Sequence, residues 1–136
     1  MKVTLELNDA QAQTILEALD LYSRVGCGQV RAVSQVVVLN WPDDRWKHHA
    51  AAEASLSAAQ VSLFPELGSP HASYGIPNRQ VPVEFRRAYD IYKHVQQAMA
   101  VARDPNPKFR GVDYDGATLN VSDEPLPTVS VTKGEP

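Results

Sequence analysis

The residues of this sequence best suited to chemistry are arginines, tyrosines and amides at polar stretches of the chain. Guanidinium groups bind phosphate through paired hydrogen bonds, aromatic rings stack on nucleobases, and amide side chains contact polar base edges. These residue types predict a binding site for a small, anionic, nucleotide-like ligand. The predicted ligand-binding residues are Tyr22, Arg24, Gln29, Tyr74, Asn78, Arg79, Arg86 and Arg87.

A pair of glycines gives this prediction its centre. Gly26 and Gly28 bracket Cys27, and Arg24 and Gln29 flank the pair with polar groups. The glycines allow two interpretations: a left-handed cap that ends a helix, or a bare patch where another backbone crosses a continuing helix closely. Either interpretation leaves the flanking side chains beside a region of exposed backbone.

Enzyme signatures are weak. His49 and Glu53 lie one helical turn apart, but no H-E-x-x-H motif or cysteine pair accompanies them. The serines occur without a G-x-S-x-G elbow, and the glycines lack the spacing of a dinucleotide-binding or phosphate-binding loop. The sequence therefore predicts no catalytic residue, no metal and no cofactor. Cys27 is expected to be a small buried hydrophobic residue.

Charge is distributed unevenly along the chain. The formal net charge is −3, yet residues 21–110 carry eleven lysines and arginines against seven acidic residues. This basic middle fits a compact anionic ligand or an acidic partner surface better than broad nucleic-acid binding. A solvated helical surface of mixed charge would explain the same pattern.

Length and composition favour one domain over residues 1–136. A single cysteine excludes an intrachain disulfide, and the chain shows no signal-like start and no apolar run long enough to span a bilayer. The expectation is a cytoplasmic protein without membrane contact. Faces of small residues and the glycine pair favour a homo-oligomer.

Hydrophobic periodicity predicts three main helices. The first begins after Asn8, which can form a capping box with Gln11, and it runs to at least Val25. It is expected to continue to Asn40, bent or broken at Gly26 and Gly28. The second helix starts at Asp43 or Asp44 and ends near Leu63, and the third extends from Pro82 to about Ala102.

Alternating polar and apolar residues predict a small sheet. Lys2 to Asn8 is expected to form a strand, Asp115-Gly116 to turn a hairpin, and Thr128 to Thr132 to form a last strand. Residues 65–82 form a long loop, ordered or mobile, and residues 133–136 a frayed tail. The predicted fold class is α+β, with three main helices and a small antiparallel sheet from the N-terminal strand and the C-terminal hairpin.

Four short segments resemble a family of small phage and prophage accessory proteins. They are Leu21–Gln29, Ala72–Ile76, Ala88–Lys93 and Asp123–Leu126, in that order along the chain. Cys27 lies within the first segment but is not part of the resemblance. The His48-His49 pair and the C-terminal tail are not part of it either. It implies a phage accessory protein, and such proteins include counter-defence factors that sequester nucleotide signals of the host.

The sequence and the resemblance together predict a non-catalytic counter-defence protein that sequesters a nucleotide-derived immune signal in the cytoplasm of the infected host. Two alternatives stay open. One is an inhibitor that docks on a host protein and binds no small molecule. The other is a small phosphodiesterase that uses His48, His49 or His94.

Overall fold

The computed structural model describes residues 1–114 and 120–134, and the regular secondary structure in this part of the chain is helical. Four α-helices follow one another: α1 (Asp9–Gly26), α2 (Ala32–Asn40), α3 (His49–Leu63) and α4 (Val83–Arg103). Since none of the described residues forms a strand, the predicted α+β fold class is wrong, and the fold is all-α.

The predicted N-terminal strand is absent because alternation alone does not supply a pairing partner. Residues 1–8 have no regular structure and are exposed, with Val3 72% and Leu5 68% accessible. A strand needs a neighbour for its backbone hydrogen bonds. Thr128 to Thr132 also lacks strand structure. The predicted Asp115-Gly116 turn lies outside the described residues.

Helix α1 begins with the predicted capping box. The backbone N–H of Gln11 donates to Asn8 Oδ1 at 2.9 Å, and the backbone N–H of Asn8 donates to Gln11 Oε1 at 3.0 Å. These two bonds satisfy donors that the first helical turn would otherwise leave without partners.

The two glycines serve different purposes. Gly28 has φ +94° and ends α1, because the backbone N–H of Gln29 donates to Arg24 O and that of Gly28 donates to Val25 O. This is a left-handed helix cap of the Schellman type. At Gly26, a Cβ would lie 2.0 Å from Phe85 Cγ, so only glycine admits the ring. The first helix is therefore broken between Gly26 and Ala32.

The second predicted helix starts later than its acidic residues suggested. A 3-10 turn occupies Arg45–His48, and α3 then continues to Leu63, two residues before Pro65. Helix α2 stops at Asn40, ahead of Trp41-Pro42, as expected from the geometry that proline imposes on the preceding residue. Helix α4 agrees with the predicted third helix.

The described chain divides into two compact units. The first comprises Met1–Asp20 with residues 87–134 of the described chain, and the second comprises Leu21–Arg86. In the first unit, Leu16, Met99 and Val121 are buried. The expected single domain stays a prediction.

A buried carboxylate organises the first unit. Asp90 is 3% exposed and accepts hydrogen bonds from the backbone N–H of Val121 at 3.0 Å and of Ser122 at 2.9 Å. The Ser122 hydroxyl donates to the same carboxylate. Asp90 thereby ties the segment after the undescribed residues to α4.

The second unit has its own small core. Cys27, Val30, Ala32 and Val81 are buried there. The backbone N–H of Tyr74 donates to Cys27 O at 2.8 Å, which ties the 65–82 loop to the end of α1. No helix among the described residues combines the length and the apolar character that crossing a bilayer requires.

Candidate functional site

A polar cavity of about 350 Å³ lies within the second unit. This volume is at the lower end of the range of roughly 300–1,000 Å³ typical of small-molecule sites. The end of α1, the start of α2, one face of α3 and the 65–82 loop supply its walls. The lining residues are Arg24, Gln29, Arg31, Ala32, Gln35, Glu53, Gln60, Pro70, His71, Ala72 and Ser73.

The helix break places two guanidinium groups at this cavity. Arg24 lies in the last turn of α1, and Arg31 directly precedes α2. Arg24 Nη1 donates to Gln29 Oε1 at 3.1 Å, so the two predicted residues that flank the glycines are held together. The N-terminal end of α2 also lies at the cavity, and the helix dipole makes this end positive. This side of the cavity therefore favours an anion.

Gln60 is the most deeply buried of the side chains that line the cavity. The side chain lies on α3 and is 2% exposed. Its Nε2 donates to Ala72 O at 2.9 Å, which joins α3 to the loop. Among the described residues, no group donates a hydrogen bond to Gln60 Oε1. Buried polar atoms without a partner are rare and costly.

The acidic residue of the cavity is engaged by a histidine. His49 Nε2 lies 3.3 Å from Glu53 Oε1, and His49 Nδ1 lies 2.7 Å from the Ser34 hydroxyl. Ser34 is buried in the first turn of α2. Glu53 contributes a carboxylate to the same cavity as the two guanidinium groups.

A second, apolar cavity of about 440 Å³ lies on the other side of this serine–histidine pair. Its walls come from α2, the 3-10 turn and α3, and they include Val33, Val37, Leu56 and His48. Ser34 and His49 line it as well. Glu53 lines the polar cavity, whereas Ser34 and His49 line the apolar one. The contacts from Ser34 through His49 to Glu53 therefore connect the two cavities.

Two of the predicted ligand-binding residues make contacts elsewhere in the second unit. The ring of Tyr22 lies 4.8 Å from that of Phe85, centroid to centroid. Arg86 is 9% exposed, and its Nε donates to Val81 O at 2.9 Å. Neither side chain lines the polar cavity.

The three predicted loop residues make contacts near their own positions or are exposed. The Tyr74 hydroxyl donates to Glu66 Oε1 at 2.7 Å, and this bond is the main cause that raises the pKa of Tyr74. Asn78 Oδ1 accepts from the backbone N–H of Gln80 at 2.8 Å, and Arg79 is exposed.

Arg87 belongs to the first unit. Its Nε donates to Glu124 Oε1 at 2.8 Å, and its Nη2 donates to Glu124 Oε2 at 3.1 Å. This paired geometry is the one that guanidinium and carboxylate groups favour. Of the eight predicted residues, the structure brings Arg24 and Gln29 together at the polar cavity. The roles of the other six in ligand binding stay predictions.

Sequence reasoning missed Arg31, Gln60 and His71 as cavity residues. Gln60 left a usable signal, because it sits at helical spacing from Glu53 and Ser57 on the face of α3 that packs. A glutamine on a packed face needs partners for both of its amide atoms. Arg31 and His71 left none, since their approach depends on the path of the chain after the helix break.

The described residues contain no group of three histidine, cysteine, aspartate or glutamate side chains arranged to hold a metal ion. Comparison with known proteins adds one finding. No protein-family model, curated protein or solved structure matches this chain.

Proposed function

We propose that this protein binds a small, anionic, nucleotide-derived molecule in its polar cavity and sequesters it without converting it. The observation that carries the proposal is the arrangement of Arg24, Arg31 and Gln29 around a polar cavity of about 350 Å³. Two guanidinium groups supply charge for phosphate, and the amides supply hydrogen bonds for a sugar or a base.

The lining of the cavity supports a polar ligand over an apolar one. Its small apolar walls, Ala32, Pro70 and Ala72, leave room beside the charged groups. The imidazole of His71 is the one aromatic ring among the described residues that line it, and this ring can stack on the base of a bound nucleotide. The ligand class expected from this lining is a phosphate ester with several hydrogen-bonding groups.

Sequestration is the simplest action of such a site. A protein that binds a signalling molecule tightly lowers the free concentration of that molecule by mass action. Together with the resemblance to phage accessory proteins, this supports a counter-defence role in the cytoplasm of the host. The expected homo-oligomer is part of the same proposal, and sedimentation velocity would test it.

The direct test is retention followed by release. We would incubate the purified protein with cyclic dinucleotides and ADP-ribose derivatives, remove unbound compound, heat the protein and identify the released molecule by mass spectrometry. Release of an unchanged compound supports sequestration, and release of a converted compound supports an enzyme. No retention of any compound contradicts the proposal and favours an inhibitor that docks on a host protein.

A hydrolase is the second candidate function, and the contacts of His49 favour it. The Ser34 hydroxyl lies 2.7 Å from His49 Nδ1, and His49 Nε2 lies 3.3 Å from Glu53. A hydroxyl, an imidazole and a carboxylate in this order can activate serine as a nucleophile. The substitution Ser34→Ala would abolish any conversion seen in the release experiment, whereas Ser55→Ala, on the same apolar cavity, would leave it intact.

A further inference from the structure

The apolar cavity formed by α2, the 3-10 turn and α3 is a second ligand site, distinct from the polar one. We propose that it binds a single-chain amphiphilic anion, with the hydrocarbon chain against the two helices and the acid group at the 3-10 turn. A free medium-chain carboxylate is the ligand class that this arrangement suits. The cavity volume of about 440 Å³ lies within the range of roughly 300–1,000 Å³ that small-molecule sites occupy.

Two helices give the cavity its walls of hydrocarbon. Val33 and Val37 lie four residues apart on α2, and Ala52 and Leu56 lie four residues apart on α3. Residues at this spacing share one face of a helix. Val33 is 36% exposed and Val37 is 39% exposed, so water reaches a surface that an alkyl chain would cover. Burial of each methylene group corresponds to about a fourfold gain in affinity.

The polar side chains of these helix walls do not oppose an apolar chain. The Ser34 hydroxyl lies 2.7 Å from His49 Nδ1, and His49 Nε2 lies 3.3 Å from Glu53 Oε1. An alkyl chain lying against this pair therefore leaves neither the hydroxyl nor the ring nitrogens without a partner. Ser55, the other serine of the cavity, is exposed and keeps its contact with water.

The 3-10 turn gives the cavity one charged side. Arg45 and His48 line it, and none of the described residues that line it is acidic. Asp43 and Asp44, which precede the turn, lie outside the lining and are held by Arg45 Nε at 2.9 Å and by Lys47 Nζ at 2.6 Å. An amphiphile with a negative headgroup therefore suits the cavity better than a neutral or cationic one.

The contacts of Arg45 hold its guanidinium in place for a headgroup. Asp43 accepts a hydrogen bond from Nε, and the Trp41 ring centroid lies 3.6 Å from Cζ. Within residues 1–114 and 120–134, no group accepts a hydrogen bond from the two Nη atoms of Arg45. A carboxylate can bind these donors without displacing Asp43.

The experiment varies chain length and headgroup separately. We would titrate hexanoate, octanoate and decanoate, each below its critical micelle concentration, into the protein by calorimetry. We expect saturable binding and a dissociation constant that falls about fourfold per methylene group from hexanoate to octanoate. Decyltrimethylammonium, with a similar chain and a positive headgroup, should bind at least about fivefold more weakly than decanoate. No saturable binding of decanoate, or equal binding of the two decyl compounds, would overturn the proposal.

Variants at the charged side test the headgroup contact. Arg45→Gln should lose most of the preference for decanoate over decyltrimethylammonium. Lys47→Gln, on the same turn but outside the cavity lining, is the matched control and should keep the preference. Both positions are exposed, so neither variant threatens the fold. A preference that survives Arg45→Gln unchanged would overturn the assignment of the headgroup to this turn.

Variants at the apolar walls test the position of the chain. Ala52→Leu occupies space that the alkyl chain needs and should weaken decanoate binding about tenfold, the equivalent of roughly two methylene groups. Ala51→Leu makes the same change at an exposed neighbour outside the lining and should bind normally. Equal affinity of these two variants, each folded by circular dichroism, would contradict a chain bound between α2 and α3.

A second copy of the chain is the other occupant that the experiment recognises. In that case sedimentation velocity would show a dimer that Val37→Glu dissociates, and calorimetry would show no decanoate binding. This combination would overturn the proposal and identify the apolar walls as a surface for self-association. Saturable decanoate binding that depends on Arg45 supports the proposal.

Discussion

Asp90 and Gln60 are both deeply buried polar side chains, but their surroundings differ. Asp90, in the first unit, accepts bonds from two backbone N–H groups and the Ser122 hydroxyl. Gln60, in the second unit, donates one bond to Ala72 O and keeps an acceptor without a partner. A satisfied buried group is explained by the fold, whereas an unsatisfied one calls for another explanation. The comparison therefore assigns a structural role to Asp90, whereas the contacts of Gln60 leave its buried oxygen without an explanation.

Removal of the Asp90 carboxylate should have the largest effect on stability. Asp90→Ala leaves buried donors at Val121 and Ser122 without an acceptor, and we expect the free energy of unfolding to fall by about 3 kcal/mol or more. Urea unfolding followed by circular dichroism measures it. Glu84→Ala, which removes an exposed carboxylate from α4, is the control. Equal losses for the two variants would break the assignment of a structural role to Asp90.

Substitution of Gly26 tests whether the second unit is tightly packed. A Cβ at Gly26 would lie 2.0 Å from Phe85 Cγ, so we expect Gly26→Ala to lower stability by about 1–3 kcal/mol. Gly75→Ala, whose Cβ would meet only Pro77 at 3.8 Å, is the matched control. In the double variant, Phe85→Leu should recover part of the loss, and thermal unfolding of the four proteins would show it.

Gln60→Leu should change stability far less than Asp90→Ala. The substitution loses the bond to Ala72 O but also removes an unsatisfied buried oxygen, so we expect stability to change by no more than about 1 kcal/mol. Urea unfolding of the two variants measures the difference. A loss of stability as large as that of Asp90→Ala would mean that the two residues have the same role, and the contrast between them would be lost.

The smallest expected effect is the contribution of Cys27 to the pH dependence of stability. Burial raises the pKa of the Cys27 thiol above its ordinary value. Because the folded protein favours the neutral thiol, burial of Cys27 contributes to stability below the ordinary cysteine pKa of about 8.5. This contribution is lost as the pH rises through the higher pKa of the folded protein. Chemical unfolding from pH 7 to pH 10 should show a steeper decline for the native protein than for Cys27→Ala. Identical declines would contradict a buried thiol.

Helices were predictable because their signals are local. The capping box of Asn8 and Gln11, the apolar stripe of α4 and the proline after α2 all act within a few residues of the structure they specify. The strand at Lys2 to Asn8 was predicted wrongly because its alternation shows which side could be buried but not whether a partner strand exists. A sheet depends on pairing between distant segments, and one sequence does not reveal it.

The cavity was predictable only where the chain itself brings its residues together. Arg24 and Gln29 are joined by the helix cap at Gly28, and their sequence spacing indicated this. Gln60 and Ala72 meet because the loop after α3 returns to that helix, and no local pattern specifies the return. Arg86 was predicted as a ligand contact from its charge, and no sequence pattern indicated that its Nε donates to Val81 O.

Isothermal titration of ADP-ribose into the native protein and into the double variant Arg24→Ala/Arg31→Ala tests the central claim most directly. A charge-assisted bond contributes about 1.5–3 kcal/mol, so we expect the double variant to bind at least about tenfold more weakly, with the loss reduced at high salt. Arg110→Ala, at an exposed arginine of the first unit, should bind like the native protein. Equal affinity of the native protein and the double variant would contradict a ligand site at the polar cavity.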